Sequence, residues 1–548
     1  MSRDFYLKSS FVVFMVQLIC AWPMRDIYLS LQDEGNLLAW ASRMLDGQQP
    51  YQDFFLRFMP TNLSVLALGF RIFGEQIWVA RWYFLLSLSV LAVVIWLLSL
   101  ELLPPDRAIL PVAFFVCVGG NFWPMLSAHW DSTIFALLAI LITARASSTL
   151  ELVPAGVMAG LCVLFLQPRG VSICLAVGLM GLSRAPRLKR LLALVGGALI
   201  PGVIFTGWLL YRGLFGDFWQ QAILYNLTTY SEVQAYPFNW GLSLTHTRSL
   251  LNGVGQLGQL PFSAWFSWFS NALAFTIVDL VKYTLFLPVL VIGVIALARR
   301  PKREKAQLLG GLLVLLLLST YFSWARANRY HFNFHTPGWY VLLVYLLYRL
   351  ESRWRRPAQI LTGFIGAAFL VHGITNVYGW TQYRFPIQFQ RGVLYTDQPE
   401  FARQSQQLSG ILASRYDGKN LFGFPEIPMV IWLAGGKNPT SFEALAPIFY
   451  SDEQFALARK ELVESAPTGI LFRPSGAGIA ENYPFIETAD YDAKELEKLK
   501  LLTEGARPVA EVGGFYLFQL PADIKSRPLE PRKKTESRPK PVQATPEP

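Results

Sequence analysis

Charged residues and cysteines are both scarce in this sequence. Only 16% of the 548 residues are Asp, Glu, Lys or Arg, whereas 53% are hydrophobic, and the mean hydropathy is positive. Soluble domains carry about a quarter charged residues, so this composition excludes an ordinary soluble protein. The four cysteines all lie inside apolar runs without C-x-x-C spacing, which excludes a disulfide framework and a zinc finger. The chain is therefore predicted to be an integral membrane protein.

Three further sequence signals are missing. No small-x-small cleavage site follows the first apolar stretch, which ends near Trp22, so this stretch is predicted to be a retained helix rather than a signal peptide. No internal repeat indicates the inverted halves of a transporter. No Gly-rich loop follows the β-like runs near the C-terminus, so no nucleotide site is predicted there.

Long apolar runs dominate the first 380 residues. We predict an α-helical polytopic membrane protein with about eleven transmembrane helices, and the pattern is compatible with about ten to thirteen. The stretch from Pro60 to Gly74 is predicted to be a juxtamembrane helix of the first outer loop, with a short span as the alternative. After the first run, the others lie at about 80–100, 109–122, 132–147, 152–167, 169–183, 190–212, 273–297, 307–323, 336–349 and 357–379.

Lysine and arginine gather in three short loops, at 184–190, 299–305 and 349–356. If the N-terminus is cytoplasmic, all three loops lie on the cytoplasmic side, as the positive-inside rule requires. The net charge of +11 then reflects topology, so no nucleic-acid partner is predicted. The expected location is the plasma (inner) membrane, as a multi-pass protein whose C-terminal domain is extracytoplasmic.

Several polar residues that are unusual in such a chain emerge together on the outer face in this topology. Outer loops are normally poor in positive charge, so arginines there need an anionic partner. A lipid phosphate is one such partner, because guanidinium binds phosphate through forked hydrogen bonds. Carboxylates beside guanidinium groups can deprotonate a hydroxyl and stabilise a phosphate leaving group. These residues are Asp33, Glu34, His129, Asp131, Arg169, Arg326, Arg329, His331 and His335.

The first outer loop carries the most specific motif. Its run DEGNLLAWASRMLDGQQPYQDFF, with a nearby proline, resembles the first outer loop of the polytopic GT-C glycosyltransferases. It is similar in particular to dolichyl-phosphate-mannose protein mannosyltransferases and to the bacterial group that includes the lipid A aminoarabinose transferase. The resemblance covers most of the chain. Less specific matches are HWDSTIFALLAILITARA, the outer loop with arginines and histidines before a Pro-containing helix, and LFGFPEIPMVIWLAGGKNPT.

The resemblance implies roles for individual residues. The family's proposed catalytic base carries over to Asp33, with Glu34 beside it, and its second acidic position carries over to Asp131. The basic residues that hold the lipid phosphate carry over to Arg169, Arg326, Arg329 and His331. The residues predicted to line the substrate cleft are Tyr51, His129, Tyr225 and His335.

Proteins of this family transfer a single sugar from a polyprenyl phosphate, with inversion, on the outer side of the membrane. The resemblance therefore implies a polyprenyl-phosphate-linked sugar as donor and a glycan, lipid or protein as acceptor. The sequence establishes no cofactor. A divalent metal ion between Asp33, Glu34 and Asp131 stays open, since oxygen ligands suit a hard cation. The chain departs from the oligosaccharyltransferase branch, because it lacks that branch's D-x-D in the second loop and its W-W-D-x-G further downstream, so the resemblance does not imply a required metal ion.

Simpler interpretations apply to the same residues. Asp33 and Asp131 each precede a helical run and suit an N-cap, and Arg169 suits snorkelling towards lipid headgroups. His331 and His335 have helical spacing that suits a metal, but no third ligand is evident. For the whole protein, the alternatives are a lipid or solute transporter or flippase, whose charges line a path, and a non-catalytic membrane scaffold.

The predicted organisation has three parts. Residues 1–380 form the transmembrane GT-C-like catalytic domain, in which the outer segment of about 213–272 contains interfacial helices. Residues 381–522, where charged helical stretches alternate with β-like runs, form a small extracytoplasmic α/β domain, and its Gly-Gly suits a hairpin turn. Residues 523–548 are Pro-rich and basic and are predicted to be disordered.

Overall fold

The computed structural model describes residues 2–27, 32–120, 124–230, 274–299, 303–322, 332–475 and 488–526. Up to Trp380 the described chain is helical. Its α-helices are α1 (Arg3–Ala21), α2 (Asp33–Leu45), α3 (Thr61–Phe73), α4 (Ile77–Leu102), α5 (Pro105–Phe114), α6 (Ala128–Arg145), α7 (Leu152–Phe165), α8 (Gln167–Leu182), α9 (Arg187–Tyr211), α10 (Phe215–Phe218), α11 (Ala274–Asp279), α12 (Phe286–Ala298), α13 (Arg303–Phe322), α14 (Thr336–Glu351) and α15 (Arg355–Trp380). Short π-helical segments lie at Phe115–Gly119, Trp219–Leu224, Asn226–Tyr230 and Leu280–Thr284.

Five described helices are long and apolar enough to cross a membrane, which makes the chain an integral membrane protein. They are Arg3–Met24, Ile77–Leu102, Arg187–Tyr211, Lys305–Phe322 and Arg355–Trp380. A sixth is added if Thr276–Thr284 and Phe286–Ala298, which meet at an angle of 49°, are one bent span. The other predicted runs also form helices, but these are shorter or less apolar, so a total of eleven spans stays a prediction.

Small residues allow the closest helix contacts. A Cβ atom on Gly156 of α7 would lie 2.2 Å from the Leu194 carbonyl oxygen of α9, and one on Gly197 would lie 2.2 Å from the Val153 oxygen. Because membrane helices gain little from the hydrophobic effect between themselves, such close backbone approach supplies the packing energy. The glycines of α7 and α9 are therefore the reason that these two helices pack tightly.

Helices α2 and α3 belong to the first loop. The predicted helix at Pro60–Gly74 is present as α3, whose 13 residues are too few for a span. The predicted N-cap roles of the two acidic residues are wrong. Gln32 occupies the N-cap position of α2 without a side-chain hydrogen bond to the helix, whereas Ser127 caps α6 and accepts a hydrogen bond from the His129 amide. Asp33 and Asp131 are both inside their helices.

After Trp380 the chain forms the predicted α/β structure. The elements are β1 (Phe385–Phe389), β2 (Gly392–Thr396), α16 (Pro399–Tyr416), β3 (Leu421–Phe424), α17 (Pro428–Leu433), α18 (Asp452–Glu464), β4 (Thr468–Phe472), α19 (Thr488–Leu502), β5 (Arg507–Val512) and β6 (Phe515–Leu520). Strands β1 and β2 pair as a hairpin, and the other four form a sheet in the order β3-β4-β6-β5, with only β3 and β4 parallel. The predicted Gly-Gly hairpin joins β5 to β6, where Gly513 and Gly514 both have positive φ angles, as a tight turn requires.

The α/β part shares one apolar core with the helices. Ile387 and Leu394 of the hairpin and Met429 and Leu433 of α17 are buried in the same cluster as residues of α1 to α4. The amide of Ile77, at the start of α4, donates to the Arg391 carbonyl at 2.9 Å. The C-terminal part is therefore docked on the first loop and on the beginning of α4.

Candidate functional site

The two acidic residues at the start of α2 have different environments. Glu34 is fully buried and its carboxylate accepts a hydrogen bond from Arg81 of α4 at 2.7 Å. The same Arg81 nitrogen donates to the carbonyl oxygen of Ile27 at 3.0 Å. Asp33 is only half-buried, at the first position of the helix. Glu34 therefore fixes α2 to α4, whereas Asp33 keeps part of its surface exposed.

Gly35, the next residue, is the point where the C-terminal part presses on α2. A Cβ atom at this position would lie 2.2 Å from the backbone nitrogen of Met429 in α17. Further along the same contact, Trp432 donates from its indole nitrogen to the Ser42 hydroxyl at 2.6 Å and stacks on Phe70. The third residue of the DEG motif is therefore glycine because only glycine lets α17 lie against the acidic helix.

We expect Gly35→Ala to destabilise the protein by about 1–3 kcal/mol, since the backbone of α17 cannot give way as a side chain would. Thermal unfolding of the purified protein would measure this. Gly207→Ala in α9 is the matched control, because nothing lies within 4 Å of the added methyl group there. Equal unfolding temperatures for the two variants would contradict the close packing.

The C-terminal part also brings a carboxylate to the beginning of α2. Glu426 lies in the turn between β3 and α17, and its carboxylate accepts a hydrogen bond from the Gln32 side chain. Gln32 directly precedes Asp33 in the chain. The start of α2 is therefore enclosed by residues from the first loop and from the α/β part.

A cationic side chain, Arg57, lies in an aromatic enclosure near Asp33. Its guanidinium carbon is 4.3 Å from the ring centre of Tyr230, 4.9 Å from that of Phe58 and 5.9 Å from that of Phe449. These distances are typical of cation–π contacts. Three segments, around residues 57, 230 and 449, therefore build one enclosure.

Electrostatics in the enclosure favour a charged Arg57 beside neutral tyrosines. Burial lowers the pKa of Arg57, but Tyr230, Tyr450, Tyr225 and the Asp33 carboxylate outweigh burial and raise that pKa above its ordinary value. Burial raises the pKa of Tyr225 and of Tyr450, so both hydroxyls stay protonated. The enclosure thus holds a permanent positive charge among aromatic rings and protonated phenols, a set that suits a phosphate ester.

Asp131 of α6 accepts three hydrogen bonds from neutral donors. Asn62 Nδ2 of α3 is 2.9 Å from the carboxylate, and the Tyr83 hydroxyl and Ser87 hydroxyl of α4 are 3.0 and 2.9 Å away. The side chain is buried. Asp131 therefore ties α3, α4 and α6 together at one level of the helix bundle.

Arg169, predicted to bind a phosphate, is buried against α6. Its Nη1 atom donates to the His129 carbonyl and the Ser132 hydroxyl, both at 2.7 Å, and to the Thr133 hydroxyl at 2.8 Å. The ring of His129 stacks on Phe334, with 4.3 Å between ring centres. These contacts tie the start of α8 to the start of α6.

The predicted cleft residues have separate surroundings. Tyr51 is buried and donates to the Phe58 carbonyl at 2.7 Å, which shapes the loop that carries Arg57. Tyr225 donates to the Phe449 carbonyl and so belongs to the Arg57 enclosure. His335 is buried, and its ring contacts that of Phe332, which belongs to a segment far along the chain from the first loop. The predicted phosphate ligands Arg326, Arg329 and His331 lie outside the described residues.

In the described ranges, no three or more His, Cys, Asp or Glu side chains come close enough together to hold a metal ion. A polar cleft of about 520 Å³ does lie at the other end of α2, lined by Arg43, Asp46, Gln52 and Glu461 among others. Asp46 follows Asp33 by 13 residues, which is about 20 Å of helix. This cleft therefore lies at the opposite end of α2 from Asp33.

Comparisons with known proteins identify the fold. No protein-family model matches the sequence, and no curated protein sequence matches it. The structure of ArnT from Cupriavidus metallidurans bound to undecaprenyl phosphate superposes with a TM-score of 0.55 at 12% sequence identity. The match covers 95% of this chain and 98% of that chain, so it includes the helices and the α/β part. The chain has a GT-C-type fold.

Two other similar structures score lower. The apo form of the Cupriavidus metallidurans ArnT has a TM-score of 0.44 at 13% identity, with 95% of this chain and 98% of that chain covered. The oligosaccharyltransferase AglB from Archaeoglobus fulgidus, in complex with an inhibitory peptide and a dolichol phosphate, has a TM-score of 0.46 at 11% identity, with 94% and 76% covered.

Sequence reasoning did not single out Arg57, Glu426 or Arg81. Arg57 lies only two residues after the quoted first-loop motif, and a charged residue between phenylalanines was the available signal. Glu426 lies inside the quoted segment LFGFPEIPMVIWLAGGKNPT, but nothing in the chain indicates that this turn reaches α2. Arg81 stands in the first turns of an apolar helix, where its burial opposite Glu34 has no local signature.

Proposed function

We propose that the protein is a membrane glycosyltransferase that moves a single sugar from a polyprenyl-phosphate donor to an acceptor on the extracytoplasmic face. The observation that carries the proposal is the half-buried Asp33 carboxylate at the first position of α2, whose charge is one of those that raise the pKa of Arg57. The GT-C-type fold supports it, since the ArnT structure with that fold binds undecaprenyl phosphate. The acceptor is a glycan, a lipid or a protein with a free hydroxyl or amine.

In this scheme Asp33 is the general base. It takes the proton of an acceptor hydroxyl as the oxygen attacks the anomeric carbon of the donor sugar. The bond from that carbon to the phosphate oxygen breaks, and its electron pair leaves with the lipid phosphate. Attack opposite to the leaving group inverts the anomeric configuration. Because the phosphate leaves readily, positioning and charge stabilisation supply most of the acceleration.

Arg57 holds the departing phosphate in the proposed reaction. A guanidinium forms two parallel hydrogen bonds to phosphate oxygens, and its charge offsets the charge that the leaving group gains. The hydroxyl of Tyr450, which burial keeps protonated, can add a donor to the anion site, whereas Tyr225 donates to the Phe449 carbonyl and supports the enclosure. The proposal keeps Arg326, Arg329 and His331 as further phosphate ligands.

In this proposal the remaining predicted residues do not contact the reacting groups but hold in place the helices that surround the site. Glu34 orients α2 through Arg81, so it is a positioning residue and not a second base. Asp131 and Arg169 hold α3, α4, α6 and α8 around the site through their hydrogen bonds. His129 and His335 pack behind that frame, and Tyr51 shapes the Arg57 loop. No step in the scheme requires a metal ion.

One observation favours the rival function of a lipid or solute transporter. Lys282 is fully buried at the break of the bent helix pair, and its ammonium donates to the Asn333 side chain at 3.0 Å. Buried cations inside membrane helices often lie on a transport path. Covalent transfer of a labelled sugar separates the two functions, because a transporter moves its substrate without making a new glycosidic bond.

Binding of radiolabelled undecaprenyl phosphate to the purified protein in nanodiscs tests the donor site. We expect Arg57→Gln to weaken binding by about 10- to 100-fold, the loss that one charge-assisted interaction predicts. Arg71→Gln, which removes an exposed arginine of α3, is the control and should bind like the wild type. Equal affinity of the Arg57 and Arg71 variants would refute the phosphate site, and binding without sugar transfer would favour the transporter.

A further inference from the structure

A second cleft, of about 390 Å³, lies where three parts of the protein meet. It is bounded by Arg25 and Asp26 after α1, by Trp78 and Trp82 at the beginning of α4, and by the β1–β2 hairpin at Tyr395. Both α1 with its extension to Met24 and α4 are long and apolar enough to span a membrane. The cleft therefore lies at the level where membrane helices end and lipid headgroups begin.

Tryptophans concentrate around this cleft. Trp22 packs edge-on against Trp82 with 5.3 Å between ring centres. Trp22 is 43% exposed and Trp78 is 40% exposed, although both are large apolar side chains. Indole rings prefer the membrane interface, where their apolar body and polar N–H face different surroundings. Their exposure here indicates a lipid-facing surface rather than a water-facing one.

The two charges of the cleft form a pair of zero net charge. Arg25 donates from Nε to Asp26 Oδ1 at 2.8 Å, and its guanidinium lies 4.5 Å from the ring centre of Trp22. The bonds to Asp26 use Nε and Nη2 of Arg25. Within the described residues no hydrogen bond is formed by Nη1 of Arg25. The cleft thus offers guanidinium donors beside carboxylate acceptors and aromatic faces.

The floor of the cleft is held in place by backbone contacts. The amide of Tyr395 donates to the Asp26 carbonyl at 2.8 Å, and Ile27 forms a parallel bridge with Tyr395. Gly392 has φ of +131°, and a Cβ atom there would lie 2.5 Å from a methyl group of Ile77. Because the hairpin and the helix ends are locked together, the charged pair and the indoles keep a fixed relative position.

We propose that this cleft binds the headgroup of a zwitterionic phospholipid with a primary amine, namely phosphatidylethanolamine. The phosphate of the lipid accepts a hydrogen bond from Nη1 of Arg25. The ammonium of the ethanolamine group donates to the Asp26 carboxylate and contacts the ring face of Trp78 or Trp82. An anionic headgroup supplies no cation for Asp26 or the indoles. A choline headgroup supplies a cation that cannot donate hydrogen bonds. The proposal does not depend on the glycosyltransferase function.

Native mass spectrometry of the full chain, released from detergent with defined mixtures of phosphatidylethanolamine, phosphatidylglycerol and phosphatidylcholine, tests this site. We expect the wild type to retain phosphatidylethanolamine about fivefold more than phosphatidylglycerol, and Asp26→Asn to reverse that preference, because Arg25 is then left with a net positive charge. Trp78→Ala should lose most of the retained lipid, whereas Trp354→Ala, which removes a 60% exposed tryptophan elsewhere, should not.

Two results would overturn the proposal. The first is an unchanged lipid preference in Asp26→Asn, which would show that the charged pair does not select the headgroup. The second is equal lipid retention in the Trp78 and Trp354 variants, which would show annular lipid without a specific site. Both variants replace exposed or half-exposed side chains, so correct folding can be checked by their unfolding temperatures.

Discussion

Asp33→Asn is expected to lower the rate of sugar transfer by about 10²–10⁴-fold, the usual contribution of a positioned general base. The amide keeps the size of the side chain but cannot accept the acceptor's proton. Donor binding should change little, because the phosphate is held by Arg57 in the proposed scheme. The measurement is transfer of labelled sugar from a polyprenyl phosphate to envelope acceptors from a strain that lacks the protein.

The control for this variant lies on the same helix. Asp46, at the C-terminal end of α2, is exposed and pairs with Lys437 at 3.2 Å. Exposed pairs of this kind contribute less than about 1 kcal/mol, so Asp46→Asn should transfer sugar and unfold like the wild type. If Asp33→Asn kept half of the wild-type rate while remaining folded, Asp33 would not be the base.

Glu34→Gln has the largest expected effect on stability. The change removes the negative partner of Arg81, whose side chain is fully buried, and leaves a positive charge without compensation. Loss of one partner from a buried ion pair costs about 3–5 kcal/mol. We therefore expect a marked fall in the thermal unfolding temperature in detergent, measured by tryptophan fluorescence, together with a partial loss of transfer activity.

Two further variants decide whether the buried pair is the cause. Glu101→Gln breaks an ion pair with Arg145 that is partly exposed, so it should cost less than about 1 kcal/mol. The double variant Glu34→Gln with Arg81→Met removes both charges and should regain much of the lost stability, since no buried charge is left alone. An equal loss in Glu34→Gln and Glu101→Gln would contradict the assigned role.

Sequence patterns predicted those parts of the fold that are determined by neighbouring residues in the chain. Apolar runs correspond to helices because a run of such residues has few other stable conformations in lipid. The Gly513–Gly514 pair was recognised as a hairpin turn because positive φ angles suit glycine. The C-terminal α/β structure followed from its alternating patterns, but the order of its strands did not, since pairing between distant segments leaves no local trace.

Side-chain roles at the site were harder to predict because adjacent residues on a helix point about 100° apart. The sequence places Asp33 and Glu34 together, yet one is half-buried near Arg57 and the other is buried against Arg81, which is 47 residues away in the chain. Arg169 was expected to bind a phosphate from its place in an outer loop. Its hydrogen bonds to α6 could not be seen, because they depend on how two helices pack.

The contact between Gln32 and Glu426 joins residues separated by 394 positions. A ribosome that adds about 5 to 20 residues each second needs about 20 to 80 s to synthesise the intervening chain. During this interval the acidic helix has no α17 to cover Gly35 and its neighbours. The surroundings of α2 are therefore completed only when the last third of the chain has been synthesised. A nascent chain arrested before Glu426 lacks the residues that cover the start of α2.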